Sequence, residues 1–311
     1  MSGQMLFQFV VVAIGAFASA LCAVFYFRRV RLERPAIGVF NVRDILVLSF
    51  FIVTLPLLYL ILPGVVLTGF LVLTFSSALY MGLRPLLSVR YIWLLIGALI
   101  VADIVVTETL LGMQVGWQIY WILNSTVVLI AVVSVSNLYV QGGMRLQHIA
   151  WFSLFLAVYD AFFAFVIPIT QQLADRFEAR PLDASIGFAM GPYNANIGIG
   201  DLLVFCLFMV AAYKGFGRRG ILAALSITGV FGVLLPVLTP LVITSLIRGT
   251  IGIVVPVQMF FGPAAFVTYL LLSKRAPERS MEQWFSKRAA EERSAIQTSQ
   301  AIQSQAESLP V

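Results

Sequence analysis

The sequence predicts an all-α polytopic membrane protein, on the grounds of its composition, its long apolar runs and its one-sided distribution of basic residues. Of 311 residues, 60% are hydrophobic and 11% are charged, and the mean hydropathy is +0.98. A soluble domain of this length could not bury so much apolar surface. The formal net charge of +6 therefore bears on membrane topology, and no nucleic-acid partner is expected.

Apolar runs of about 20 residues, the length of a helix that crosses a bilayer, recur along the chain. The first run has no basic segment before it and is too long for a signal-peptide core, so we interpret it as a retained helix. Pro63-Gly64 alone separates the second and third runs, which predicts a tight turn. Nine spans are predicted, with eight or ten as the alternatives. They are 5–27, 45–62, 64–83, 91–111, 116–139, 147–170, 197–213, 221–247 and 253–273.

The positions of the Lys and Arg residues predict the orientation. With the N-terminus outside, 17 of the 20 basic residues fall in inner segments, and only Arg176, Arg180 and Arg248 fall outside. Because basic residues collect on the cytoplasmic side, the chain is predicted to be N-out and C-in. Residues 1–274 then form the transmembrane domain. Residues 275–311 form a partly disordered cytoplasmic tail that begins with a short amphipathic helix containing Trp284 and Phe285.

Two aspartates lie inside consecutive predicted spans, Asp160 in 147–170 and Asp201 in 197–213. A carboxylate in a membrane costs at least about 2.5 kcal/mol on insertion scales, so such residues usually face a partner or a wet cavity. The two helices run antiparallel and are joined by the outer segment 171–196. We therefore expect the carboxyl groups to meet in the outer half of the membrane and to share one proton. One carboxylate could then activate water while the other polarises a carbonyl oxygen.

Small residues and a proline accompany these acids. Gly198 and Gly200 clear space beside Asp201 and permit an irregular helix start, which is tolerated where it lines a cavity. Pro263, in the ninth predicted span, frees a backbone carbonyl of that helix. Exposed backbone groups there could pair with an unwound substrate strand.

These motifs carry a resemblance to a known family. Tyr159-Asp160 and Gly198-Ile199-Gly200-Asp201 resemble the YD and GxGD motifs of the intramembrane aspartyl proteases, which include the presenilins, the signal peptide peptidases and their microbial homologues. The family's third motif is Pro-Ala-Leu in the last span, and here Ala265 replaces the leucine. The resemblance implies a presenilin-like fold of nine helices with Asp160 and Asp201 as the catalytic dyad. It implies that the site is shaped by Tyr159, Gly198, Gly200, Pro263, Ala264 and Ala265.

The resemblance also implies an activity, that of an endopeptidase that cleaves transmembrane helices. The predicted N-out orientation is similar to that of the signal peptide peptidases and inverted relative to the presenilins. The expected substrates are therefore signal-peptide remnants or type II membrane proteins. Neither a metal nor a cofactor is expected, because the single histidine, His148, and two cysteines in apolar spans give no metal site. The expected location is a microbial plasma membrane, with an endomembrane as the alternative.

Two other functions fit parts of the pattern. A proton- or ion-coupled transporter could use Asp160, Asp201 and Asp103 as a relay, and it would be expected to show an internal repeat, which we do not find in the sequence. A non-catalytic membrane chaperone or scaffold is the third reading. We interpret Asp103 as a structural residue that bonds to a neighbour such as Asn124, and Glu108 as a residue that reaches water at the outer end of its helix.

Overall fold

The computed structural model describes residues 3–32, 42–165, 172, 180–239 and 256–286, and these form nine long helices and one strand pair. In chain order they are α1 (Gly3–Arg29), α2 (Val42–Ile61), α3 (Gly64–Leu83), α4 (Val89–Thr109), α5 (Gln114–Gln141), α6 (Leu146–Phe165), β1 (Ser185–Met190), β2 (Tyr193–Gly198), α7 (Ile199–Phe216), α8 (Arg218–Thr239) and α9 (Gln258–Arg275).

Seven of these helices, α1 and α3 to α8, are long and apolar enough to cross a membrane. The predicted class of polytopic helical membrane protein is thereby confirmed. The other two predicted spans coincide with α2, of 20 residues, and α9, of 18 residues. The predicted ends of the sixth and eighth spans, 166–170 and 240–247, and the start of the ninth, 253–255, lie outside the described residues. The count of nine spans therefore stays a prediction.

Two boundaries show where local sequence directs the chain. α2 ends at Ile61 and α3 begins at Gly64, so the predicted tight turn at Pro63-Gly64 is confirmed. α7 begins at Ile199, two residues later than predicted, because β2 continues to Gly198. Within α8, residues Thr228–Leu234 form a π-helix, a local widening often associated with functional sites.

A β-hairpin occupies part of the segment that the sequence indicated only as a long polar loop. β1 and β2 pair antiparallel from Ser185 opposite Gly198 to Met190 opposite Tyr193, and Gly191 turns the chain with a φ of 60°. β1 lies against α5 and β2 against α1. A Cβ at Gly187 would lie 2.8 Å from the Trp121 ring, so this glycine permits the contact with α5.

α7 is the most deeply enclosed helix of the described bundle. Twelve of its 18 residues are buried, among them Phe205 and Phe208. It contacts α1, α5, α6 and α8. Because α7 is apolar and enclosed on all sides, its neighbours fix the position of a polar residue near its end. Asp201 is such a residue, the third of α7.

α9 lies along α6 and reaches α7 through its aromatic residues. A Cβ built at Gly262 would lie 2.3 Å from the carbonyl oxygen of Ser153 and 2.8 Å from Cβ of Ala157, so only a glycine allows this approach to α6. Phe261, fully buried, packs on Phe205 and Phe208 of α7 at ring-centroid distances of 4.7 and 5.7 Å. These contacts bring the start of α9 to both aspartate-bearing helices.

The segment after α9 binds across one end of the bundle. Glu278 accepts a hydrogen bond from the backbone N–H of Leu146 at 2.7 Å and forms an ion pair with Lys214 at 3.8 Å. Lys214, 1% exposed, also donates to the carbonyl of Met144 at 2.7 Å. The short helix predicted around Trp284 is confirmed over 281–286, and Trp284 contacts aromatic rings of α1 and α7. We call residues 277–286 the end strap.

Candidate functional site

The two intramembrane aspartates come together in the fold. Asp160 lies in the last third of α6 and Asp201 in the first turn of α7, and the two helices run in opposite directions. Both side chains are partly buried. Their carboxyl groups are close enough to interact electrostatically. The arrangement is the one expected from the sequence, with one acid from each of two consecutive helices.

Gln258, the first residue of α9, contacts both acids, although no local pattern in the sequence predicts this role. Its side-chain Nε2 donates a hydrogen bond to Oδ1 of Asp201 at 2.8 Å. Its backbone N–H interacts with the carboxyl group of Asp160. The side chain is 3% exposed. Three elements, α6, α7 and α9, thus each contribute one residue to a single polar cluster, which we call the dyad cluster (Asp160, Asp201 and Gln258).

The hairpin leads directly into Asp201. Gly198 is the last residue of β2 and the N-cap of α7, and the backbone N–H of Ile199 donates to the carbonyl of Ala184 at 2.7 Å. No described atom lies within 4 Å of a Cβ built at Gly200, and the nearest to one at Gly198 is Oδ2 of Asp201. These two glycines therefore face open space beside the acid within the described structure.

The other predicted site residues lie on α6 and α9. Tyr159 packs in an aromatic row on α6, 4.5 Å from the Phe163 ring and 6.4 Å from the Phe155 ring. Pro263 lies inside α9 and is exposed, whereas Ala265 is fully buried. In the part of the chain that is described, the α9 residue bonded to the dyad is Gln258, about one and a half turns before Pro263.

Asp103 and Asn124 hold the chain where it enters the hairpin. Oδ2 of Asp103, fully buried, accepts the backbone N–H of Leu182 at 2.7 Å, and Leu182 has a φ of 59°. Nδ2 of Asn124 donates to the carbonyls of Asp183 and Ser185. The predicted structural role of Asp103 fits these contacts, but the partner differs: Asp103 and Asn124 bind the same segment rather than each other.

The remaining polar residues lie elsewhere. His148 is in the first turn of α6, the opposite end of that helix from Asp160, and its Nδ1 accepts the backbone N–H of Arg145 at 3.4 Å. Glu108 is exposed near the end of α4. Among the described residues no three His, Cys, Asp or Glu side chains come together as a metal site would require.

No model of a protein family matches the chain, and no curated protein sequence matches it. The dyad cluster itself is therefore the feature that bears on function.

The chemistry open to this cluster follows from its groups. Two carboxyls at close range titrate as a pair, so one can carry a proton while the other is ionised. Such a pair offers a base and an acid in the same place, with a fixed amide donor beside one of them. In a membrane, this combination suits either hydrolysis of an amide bond or transfer of a proton along a path.

Proposed function

We propose that this protein is an intramembrane aspartyl endopeptidase that uses Asp160 and Asp201 to hydrolyse peptide bonds of transmembrane helices. The observation that carries the proposal is the meeting of these two carboxyls, from α6 and α7, at a site that α9 closes with Gln258. The open space that the described residues leave at Gly198 and Gly200 beside Asp201 supports it, since an extended substrate backbone needs room next to the acid that activates the attacking water.

The reaction needs only water and the two acids. The ionised carboxyl removes a proton from water as the water oxygen bonds to the carbonyl carbon, and the protonated carboxyl gives its proton to the carbonyl oxygen. The resulting tetrahedral diol collapses as the C–N bond breaks. A proton from the dyad passes to the leaving nitrogen, so the products are a carboxyl and an amine. No metal or cofactor takes part in this scheme.

The proposed membrane arrangement has nine spans with the N-terminus outside. The ends of α1, α7 and α9 carry the basic residues Arg28, Arg29, Lys214, Lys274 and Arg275. The end strap contacts the end of α1, the start of α6 and the end of α7, so these charges share one side of the bundle. That side is cytoplasmic by the positive-inside rule. The substrates are then helices with cytosolic N-termini, such as signal-peptide remnants or type II membrane proteins.

The test is cleavage of a tagged transmembrane substrate by the purified protein in liposomes. We expect cleavage by the wild type, none by Asp160→Ala or Asp201→Ala, and inhibition of the wild type by a hydroxyl-bearing transition-state mimic. Asp103→Asn serves as the matched control, because it alters an intramembrane aspartate outside the dyad cluster and keeps the acceptor for Leu182.

Two results would overturn the proposal. Cleavage that persists in either dyad variant would show that the acids are not both required. Proton-coupled solute flux by the wild type without any proteolysis would favour the transporter, in which the same aspartates relay protons.

A further inference from the structure

We infer that Gln258 is the positioning residue of the dyad: its amide N–H holds Asp201, and its amide oxygen accepts a backbone N–H of the bound substrate. The inference rests on the proposed function and deepens it, because it names the group of this chain that aligns the substrate backbone with the two acids. It concerns a residue outside the three motifs that point to the family.

The position of Gln258 is set from both sides. Phe261, one turn further along α9, is locked between Phe205 and Phe208 of α7, and Gly262 holds α9 against the backbone of α6. With α9 fixed in this way, the side chain of Gln258 reaches Asp201 at 2.8 Å while its backbone faces Asp160. One residue thus spans the two acids.

The amide group has capacity beyond the bond to Asp201. Oε1 of Gln258 is buried, and no described residue donates a hydrogen bond to it. A buried acceptor without a donor is unfavourable, so this oxygen is suited to a donor that arrives with the reaction. Because the NH2 group of Gln258 donates to Oδ1 of Asp201, the amide oxygen lies on the other side of the group.

The substrate supplies the matching donor. A transmembrane helix must unwind locally and break its helical hydrogen bonds before one of its carbonyl groups can be attacked. The unwinding frees backbone N–H groups on both sides of the scissile bond. One of these N–H groups can donate to Oε1. The same amide would then bind the acid and the substrate at once, so that the carbonyl is held at a fixed distance from the dyad.

The first experiment compares Gln258→Met, which keeps length and removes both polar atoms, with Gln141→Met. Gln141 is a buried glutamine that bonds to Val30 and Leu32, away from the dyad cluster. For Gln258→Met we expect a loss of about ten- to hundredfold in kcat, the size of one charge-assisted hydrogen bond, with little change in KM. Gln141→Met should retain wild-type kcat, and an unchanged kcat in Gln258→Met would overturn the inference.

The second experiment tests the substrate contact directly. Peptide bonds near the cleavage position are replaced one at a time by esters, which removes a single N–H. One ester should slow the wild type, by no more than Gln258→Met does because that variant also loses the bond to Asp201, and the same ester should not slow Gln258→Met further. Additive losses at every position would show that Oε1 receives no substrate N–H.

A third measurement does not depend on cleavage. The infrared band of the protonated dyad carboxyl, assigned by its loss in Asp201→Asn, should shift in frequency and in titration midpoint in Gln258→Met and not in Gln141→Met. The titratable groups that face Gln258 in the described residues are Asp160 of α6 and Asp201 of α7. If the wild type cleaves nothing but Gln258→Met shifts the band, the proposed protease is refuted and the hydrogen bond to the dyad is established. If Gln258→Met leaves the band unshifted, the positioning role is refuted.

Discussion

At the scale of single residues, two glycines differ in their surroundings: Gly200 lies beside the candidate site in open space, whereas Gly262 lies in a close contact between helices. A Cβ at Gly200 would have no described neighbour within 4 Å, whereas one at Gly262 would lie 2.3 Å from the backbone of α6. The first glycine leaves space that no described side chain fills. The second is required by helix contact. The same substitution at the two positions should therefore have different consequences.

Gly200→Ala is expected to leave stability within about 0.5 kcal/mol of wild type, because the added methyl group has room and helix propensity favours alanine. Cleavage should nevertheless fall about tenfold or more in kcat/KM, since the methyl group enters the space assigned to the substrate. Thermal unfolding in detergent and the cleavage assay measure the two effects. Full activity in this variant would show that the substrate does not approach Asp201 from this side.

Gly262→Ala is expected to destabilise the protein by about 1–3 kcal/mol, because the methyl group cannot be accommodated without moving α9 from α6. Activity should fall together with stability, since Gln258 moves with α9. Ala264→Gly is the control, because Ala264 lies two residues further along α9 than Gly262, on the opposite side of the helix, and is only partly buried. An unfolding temperature equal to that of wild type would contradict the close contact.

Gln258→Glu should change the pH profile of cleavage. The introduced carboxyl can donate to Asp201 only while it is protonated, and it adds a third acid beside Asp160 and Asp201. Its activity relative to wild type should therefore rise as the pH falls through the pKa of the introduced group. Rates over a pH series, divided by wild-type rates at the same pH, provide the measurement. A constant ratio would argue against the hydrogen bond.

At the scale of elements, the end strap fixes the spacing of the two aspartate helices from the end opposite the acids. Glu278 binds the start of α6 through Leu146 and the end of α7 through Lys214. Lys214 is nearly fully buried, so removing its partner leaves a charge that the interior solvates poorly. The strap is therefore part of the bundle rather than a detached tail.

Glu278→Ala is accordingly expected to cost about 3 kcal/mol of stability, the usual order for a broken buried ion pair. Glu282→Ala is the matched control, because Glu282 is exposed in the same segment. Thermal unfolding followed by circular dichroism compares the two. Equal unfolding temperatures would show that the strap does not hold α6 and α7.

The elements also show what a sequence can predict. A helix that crosses a membrane must be long and apolar, so each predicted span overlaps a described helix, and seven of these helices are long and apolar enough to cross a membrane. The hairpin was missed because Gly187, Asn194 and Asn196 have little strand propensity, and its strands form by lying on α5 and α1. Gln258 was missed because its role depends on Asp201, 57 residues away, and a lone glutamine before an apolar run carries no periodic signal.

At the scale of the whole molecule, the charge distribution predicts which face of the bundle meets the cytoplasm. A tag at the N-terminus should be accessible from outside intact cells, and a tag at the C-terminus only after the membrane is permeabilised. A tag inserted at the hairpin turn, Gly191-Pro192, should report the outer side as well. An outward C-terminus would reverse the orientation and with it the expected class of substrate.

The order in which the chain is made has a consequence for when the site can act. The ribosome makes Asp160 of α6 first and Asp201 of α7 next. Gln258 is not made until 57 residues after Asp201, and Glu278 is made later still. A nascent chain therefore inserts both acids into the membrane before it contains the residue that we propose aligns them. If the site works as proposed, proteolytic competence is acquired only once α9 has been made, so a nascent copy that lacks α9 cannot cut the helices inserted beside it.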